Sequence, residues 1–429
     1  MIQRISPAKK LRGTIQLPPD KSIAHRSGMF AALSDGLSVI HNYSDAADPQ
    51  STLSCLRQLG VDVKTDRNTV TIQGVGRDGF QTPAEPLDCG NSGTTMRLMS
   101  GILSGAGIEC TMIGDASLSS RTMKRVIDPI RSMGGVISGR DGAYAPLKIE
   151  KNSGIKGIRF PLPIASAQLK SCVLLAGLFG EKPTEVIETL PSRDHTERLL
   201  ELPSEVYGQG KIIKSGRFHN IPPQNYTVPG DFSAAAFWLV ASSVHPDADI
   251  TLNHAGINPS RIALLSVLEE MGADITLSNH RMEGAEPVAD IRIVSSGLKA
   301  VHPNPALIPN CIDELPVLMV AMSFAEGESR ITGASELRHK ETDRLAAMGA
   351  VLKAAGVDFT LTEEGVEIKG SPRFTPDAAE YNSEHDHRIA MSAAVMSLMA
   401  DGESSVIDAE CTAISYPGFW SDASALTGK

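Results

Sequence analysis

The sequence has little that would bind a nucleic acid or cross a membrane. Its 40 Lys and Arg are outnumbered by 50 Asp and Glu, a formal charge of −10 over 429 residues, and no long Lys/Arg run occurs. A general nucleic-acid surface needs an excess of cations to displace counterions from phosphates, so any polyanion site must be local. Apolar runs are short as well. The longest, around Val173 to Phe179 and Ala234 to Ala241, fall far below the ~18 residues of a membrane span. The opening MIQRISPAKKLRG has two basic clusters with no apolar stretch between them, so it does not read as a secretory signal and a cytoplasmic location is expected. Cysteine pairs are missing too. Cys55, Cys89, Cys110, Cys172, Cys311 and Cys411 lie far apart, without a CxxC or a histidine at zinc-finger spacing, which predicts reduced, mostly buried thiols rather than a structural metal.

Nucleotide and metal motifs fail on their contexts. There is no Walker A sequence, and Gly74, Gly76 and Gly79 satisfy GxGxxG only to be followed by FQTPAEPLD instead of a helix. His385, Asp386 and His387 are adjacent, so their side chains point in divergent directions and make a poor ligand set. Phe237 and Trp238 fall in an apolar helical run and are expected in a core, not on a stacking platform.

What the chain does contain is a repeat. A polar or small-residue start followed by an Ala/Leu/Met-rich helical run recurs near Asp20, Asn91, Ala165, Asp231, Asp313 and Asp386, at intervals of roughly 65 to 82 residues. After each helix comes an alternating strand: LSVIHNY, IECTMIG, EVIETL, DITLNHA, SRITGA and SSVIDA. In four units a second helix then closes on glycine before another strand, as in LRQLGVDVK, IRSMGGVIS, LEEMGADITL and LKAAGVDFTL. The pattern predicts a β-α-β-α-β-type unit six times over, folded into closed globular lobes because solenoid periods are usually shorter and more regular. LPPDK at Leu17–Lys21 and TVPGDF at Thr227–Phe232 each set Pro before an Asp that can cap the next helix, which suits a stiff crossing between lobes. The expected division is a discontinuous lobe of residues 1–20 plus 229–429, completed by the N-terminal strand, and an inserted lobe of residues 21–228.

Six helix starts facing one cleft would concentrate positive potential without net positive charge, so an acidic protein could hold an anionic ligand. Cations recur at the same places in the unit: Lys21, Arg26, Arg97, Arg121, Lys124, Arg125, Arg193, Arg338, Lys340, Arg344 and Arg388. Arginine suits bidentate recognition of carboxylate or phosphate, and Lys21 supplies a compact charge that can move a proton. Acids stand beside them. Asp313-Glu314 opens the fifth helix, and RHKETDR packs Arg338, Lys340, Glu341, Asp343 and Arg344 together, either as helical i,i+4 ion pairs or as a carboxylate facing a cationic cleft, a candidate general base or acid.

Nine ordered motifs between Leu17 and Pro417, PPDKSIAHRS, GNSGTTMR, SSRTMKR, ASAQLKS, SRDHTER, VPGDFSAAAFWL, IDELPVL, RHKETDR and DHRIAMS, together resemble the 5-enolpyruvylshikimate-3-phosphate synthase family of enolpyruvyl transferases. The resemblance implies an α/β (α+β) fold, a two-lobed inverse α/β barrel with three βαβαββ repeats per lobe. It also implies a monomeric transferase joining shikimate 3-phosphate and phosphoenolpyruvate by addition and elimination, without metal or organic cofactor. On the matching positions, Lys21, Ser22, Arg26, Ser166, Ala167, Gln168, Ser192, Arg193, Asp313 and Lys340 would hold shikimate 3-phosphate. Lys21, Asn91, Gly93, Arg121, Gln168, Arg344 and Arg388 would hold phosphoenolpyruvate, with Asp313, Glu341 and Lys21 catalytic. Two nearby alternatives fit less well. The related UDP-N-acetylglucosamine enolpyruvyl transferases carry Lys-Asn near the start and a loop cysteine, where this chain has Lys21-Ser22 and no Cys between Cys110 and Cys172. A noncatalytic anion-binding or RNA-end-processing module would not need the paired acids and cations. One departure stands out: many members place Lys before the C-terminal Ser-Tyr-Pro, and here that position is Ile414.

Overall fold

Short polar residues begin the helices because their side chains accept a backbone N–H that the first turn leaves without a partner. In the computed structural model, which describes residues 1–428, Asp20 accepts from Ile23 N at 2.8 Å and opens the helix Lys21–Leu33. Ser92 does the same for Gly93–Ala106 and Ser166 for Ala167–Gly177, each one residue beyond the expected start. Asp231 and Asp386 cap Phe232–Val244 and His387–Ser397. The fifth start is different. Glu314, not Asp313, precedes Leu315–Phe324 and makes no side-chain cap; Pro316 occupies an early position where its missing N–H costs nothing. The Asp313 carboxylate is turned to other partners.

Among the described residues the strands form six sheets, and the four that have four strands follow one plan. A leading strand pairs in parallel with the strand after the first helix, and an antiparallel hairpin completes the sheet. Leu87–Asp88 thus pairs with Cys110–Ile113, followed by Tyr144–Glu150 and Val136–Arg140. Arg159–Pro161, Thr184–Glu188, Gly210–Ser215 and Ser204–Tyr207 repeat the order. At the two chain crossings the leading strands are exchanged. Asn225–Thr227 leads the sheet of Leu37–His41, whereas Leu11–Gln16 leads that of Ala248–Gly256. Each strand stays with its unit while the chain after it enters the other. The N-terminal Ile2–Ile5 adds a further strand beside Ser404–Ile407.

The chain divides into two compact units: Met1–Pro18 with Gly230–Arg281 and Pro287–Lys429, and Pro19–Pro229 with Met282–Glu286. The expected boundaries need correction at this last segment. Met282–Glu286 lies at the turn between Asp274–Glu283 and Glu286–Val294, and Glu286 accepts from His195 Nδ1 at 2.8 Å, both side chains being buried.

The first helices of the repeats are interior, which explains their apolar and small residues on every face. In the unit that contains Gly230–Arg281, Phe232–Val244, Leu315–Phe324 and His387–Ser397 pack on one another; Trp238 donates to Tyr416 Oη at 3.0 Å and stacks on Phe419 at 5.0 Å, so the Phe237–Trp238 pair is core. In the other, a Cβ at Gly101 would lie 2.3 Å from the Cys172 carbonyl oxygen, so two helices touch backbone to backbone there. Gly74, Gly76 and Gly79 form a turn against Ser34 and Asp35 with no helix after it until residue 93. All six cysteines are buried, and none is in a disulfide. No single helix among the described residues is long and apolar enough to cross a membrane.

Candidate active site

The expected residues form two sets, one in each unit. In the unit that contains Pro19–Pro229, Lys21 is the first residue of its helix and its Nζ lies 3.1 Å from Asp48 Oδ2 on the helix Ala47–Gln58. Ser22 is half-buried one position on, and its carbonyl accepts from Arg26 Nη1 at 2.9 Å. Arg26 is buried, with Nε donating to Thr196 Oγ1 at 2.8 Å and Nη2 to Ser171 Oγ at 3.0 Å. Burial pulls its pKa down to about 10, against the support of Glu197 and Asp20 and with a further push from Arg193. It remains a cation at neutral pH.

Asn91, Gly93, Arg97, Arg121 and Gln168 form the next group. Asn91 donates to Asp115 Oδ2 and accepts from Arg121 Nη2, both at 2.8 Å. Arg97 Nη1 donates to Gln168 Oε1 at 2.8 Å, and Gln168 Nε2 donates to Thr94 Oγ1 at 3.0 Å. A Cβ at Gly93 would come within 2.7 Å of Arg97 Nη1 and 3.7 Å of Arg121 Nη1, so two guanidinium groups crowd the start of this helix. Ser166 and Ala167 begin the adjacent helix. Two helix N-termini and two arginines therefore favour an anion here.

Ser192 is set from below. Its N–H and hydroxyl donate to Glu188 Oε1 at 3.0 and 2.5 Å, and Glu188 is itself held by the fully buried Lys170 at 2.8 Å. Lys170 also meets Glu197 at 2.7 Å, and Lys211 reaches both carboxylates. Two cations balance two anions, the condition under which charges are tolerated in an interior.

In the other unit Asp313 is the meeting point. Arg344 Nη1 lies 3.2 Å from its Oδ1, Lys340 Nζ 3.8 Å from the same oxygen, and Arg388 Nη2 3.7 Å from Oδ2. Arg388 Nη1 also donates to the Asp313 carbonyl at 3.0 Å. Arg344 is fully buried and divides its remaining donors between Asp386 at 2.7 Å and Glu341 at 2.6 Å. Burial alone would lower the Arg344 pKa, but Asp386, Glu341 and Asp313 raise it above the ordinary guanidinium value. For Lys340 burial wins: its pKa is lowered although Asp313 opposes the fall, and Arg344 adds to it. The RHKETDR segment is not the helical i,i+4 arrangement. Its first part is a 3-10 turn, the helix starts only at Arg344, and the pairs are Arg338–Asp343 and Arg344–Glu341.

Several partners escaped the sequence reading. Asp48 and Asp115 lie 27 and 24 residues from Lys21 and Asn91 and carry no periodic signal that would pair them, and Glu188 is joined to the distant Lys170. Arg97 had been noted as a cation but not assigned to the site. Buried Arg261 donates to Ser233 Oγ at 2.7 Å and lies 3.5 Å from Glu314, and Ser233 donates in turn to that carboxylate. Ile414 packs on the apolar core of its unit, as its side chain requires.

The model of the family described as EPSP synthase (3-phosphoshikimate 1-carboxyvinyltransferase) matches residues 5–422. A 3-phosphoshikimate 1-carboxyvinyltransferase of Salinibacter ruber is 48% identical over 430 residues, covering 100% of both chains, and one from Synechococcus sp. (strain CC9605) is 48% identical over 97% of this chain and 96% of its own. Among solved structures, EPSP synthase from Acinetobacter baumannii superposes with a TM-score of 0.88 at 40% identity, covering 99% of this chain and 98% of its own. An enolpyruvyl transferase from Streptomyces tendae shares the fold, with a TM-score of 0.79 at 17% identity over 99% and 97% of the two chains.

Proposed function

The chain belongs to the EPSP synthase (3-phosphoshikimate 1-carboxyvinyltransferase) family, and from that premise we propose how its residues divide the reaction. The enzyme transfers the enolpyruvyl group of phosphoenolpyruvate to shikimate 3-phosphate and releases phosphate, a step of the shikimate pathway. Both substrates are multiply anionic. Two like charges ~5 Å apart repel by ~3 kcal/mol at an effective dielectric near 20, so bringing them together needs several fixed cations.

In this reading Lys21, Ser22, Arg26, Ser166, Ala167, Gln168, Ser192 and Arg193 hold shikimate 3-phosphate, and Lys340 reaches its hydroxyls. Asn91, Gly93, Arg121, Gln168, Arg344 and Arg388 hold phosphoenolpyruvate, with Lys21 touching both. Asp313 takes the proton of the 5-hydroxyl as that oxygen attacks C2 of phosphoenolpyruvate, and C3 gains a proton from Glu341 or Lys21. The tetrahedral intermediate then loses a C3 proton as the C2–O bond to phosphate breaks. The arginines stabilise charge on the departing phosphate.

One observation carries this assignment: the Asp313 carboxylate stands within 4 Å of three cations, Lys340, Arg344 and Arg388. In this reading the carboxylate is held in place by those cations, beside the groups that would bind the anionic substrates. Asp313→Ala should retain binding of shikimate 3-phosphate and lower phosphate release by orders of magnitude; near-normal turnover removes Asp313 as the base. Lys21→Met should weaken both substrates together. Phosphate release with UDP-N-acetylglucosamine in place of shikimate 3-phosphate would overturn the substrate assignment. The reading further expects a monomer in the cytoplasm acting on small molecules, without nucleic acid or membrane; sedimentation of the purified protein tests the first.

A further inference from the structure

The helices Lys21–Leu33 and Ala47–Gln58 meet in two rungs one turn apart. Lys21 faces Asp48 at 3.1 Å, and four residues on in both helices His25 Nδ1 faces Thr52 Oγ1 at 2.6 Å. The second rung continues inward. Thr52 Oγ1 lies 2.7 Å from Thr95 Oγ1, which also stands 3.5 Å from His25 Nδ1 and donates to Ser92 Oγ at 2.8 Å. Ser92 Oγ accepts in addition the Thr95 N–H that makes it the helix cap. His25, Thr52, Thr95 and Ser92 are all closed to solvent.

A hydroxyl has one proton to give, and that fixes the direction of the whole chain. Thr95 gives its proton to Ser92 and must accept from Thr52; Thr52, its proton committed, must accept from His25. The imidazole is held neutral by burial and by the nearby charges of Lys21 and Arg26, so it has a single N–H. That proton belongs on Nδ1, which leaves Nε2 as a bare acceptor, and Nε2 is indeed buried with no hydrogen-bond partner. Donation therefore runs one way from His25 to the cap of the helix Gly93–Ala106.

We propose that His25 is a positioning residue: through Thr52 and Thr95 it fixes the Asn91–Gly93 turn relative to Lys21, so that phosphoenolpyruvate meets a preformed site. The inference rests on the assignment of that turn to phosphoenolpyruvate. No member of the chain touches substrate in this scheme. Its effect is on the precision of the groups that do, where small displacements of a binding group are expensive.

The test is steady-state kinetics on the full chain with both substrates varied. His25→Ala should raise the KM for phosphoenolpyruvate about tenfold, the loss expected for a buried hydrogen bond, and change the KM for shikimate 3-phosphate less than about twofold. His25→Asn, whose amide can place an N–H where Nδ1 had one, should return the phosphoenolpyruvate KM to within about twofold of the parent. Thr95→Val, which keeps His25 and the cap oxygen but cuts the links to Thr52 and Ser92, should reproduce the defect, and the double variant should be no worse than either single one. Equal effects on both substrates, additive effects of the two cuts, or failure of asparagine to rescue would overturn the proposal. Asn91→Ala separates the two hypotheses. If it leaves the phosphoenolpyruvate KM unchanged, the assignment of the turn is wrong; if it raises that KM while His25→Ala does not, the relay is wrong.

Discussion

Arg344 Nε and Asp386 Oδ2 lie 2.7 Å apart with both side chains shut off from water, and the other oxygen of Asp386 accepts the Arg388 backbone N–H at 2.8 Å. One carboxylate thus caps the helix His387–Ser397 and orients a guanidinium from another repeat. Arg344→Met would leave Asp386 charged, buried and without its cation. We expect a loss of about 3–5 kcal/mol in unfolding free energy, measured by urea titration at pH 7. Arg344→Lys should recover little of it, because an ammonium cannot present the planar fork that serves Asp386, Glu341 and Asp313 at once. A loss under about 1 kcal/mol for the Met variant would show that the pair is dispensable.

Gly93→Ala should separate function from stability. The added methyl would fall 2.7 Å from Arg97 Nη1, the mobile end of a long side chain, so the guanidinium can swing away and the fold should change by less than about 1 kcal/mol. The movement removes the Arg97–Gln168 hydrogen bond beside the proposed phosphoenolpyruvate site. A rise of about tenfold in the phosphoenolpyruvate KM is expected, with shikimate 3-phosphate less affected. The opposite split between substrates would contradict the placement of Gly93.

His25 gives stability a pH dependence whose sign can be worked out. Its folded pKa lies well below the unperturbed 6.5 because burial, then Lys21 and Arg26, disfavour the imidazolium. The unfolded chain therefore binds a proton first as pH falls. The contribution is complete above about 6.5 and is lost from there downward, with a slope of up to about 1.4 kcal/mol per pH unit. His25→Asn should flatten the difference in unfolding free energy between pH 7 and pH 5.5. Identical slopes in parent and variant would mean that His25 is not kept neutral.

The thiols should be silent in the native protein. Burial pushes Cys110 and Cys172 up to about 12 and Cys411 up to about 11, where thiolate at neutral pH is negligible. Iodoacetamide at pH 7.5 should label none of the six within minutes while phosphate release continues, and all six after denaturation. Rapid native labelling at Cys55 or Cys89, just before the Asn91–Gly93 turn, would indicate local opening there.

Much of this was legible because it is written in local chemistry. Asp20, Asp231 and Asp386 cap the helices they introduce, and the alternating strands follow where hydrophobic periodicity put them. Where local signals conflict, the sequence reading slipped by a residue: Ser92 and Ser166 outcompete their neighbours as caps, and Glu314 takes the place expected of Asp313 because Asp313 is bound to three cations. The two readings of RHKETDR stay open in the sequence because charge spacing alone does not say that the chain is in a 3-10 turn before the helix that starts at Arg344.

By itself, then, the sequence determined the repeat, the helix starts and the inventory of cations that an anionic ligand needs, since caps and periodicity depend on residues within a few positions of one another. Only the tertiary structure decided which acid faces which cation. Lys21 with Asp48, Lys170 with Glu188, and Arg344 with Asp386 join positions brought together by the packing of separate elements, not by spacing along the chain. The exchanged leading strands Leu11–Gln16 and Asn225–Thr227 belong to the same class, because parallel pairing leaves no signature in the strand that would name its partner.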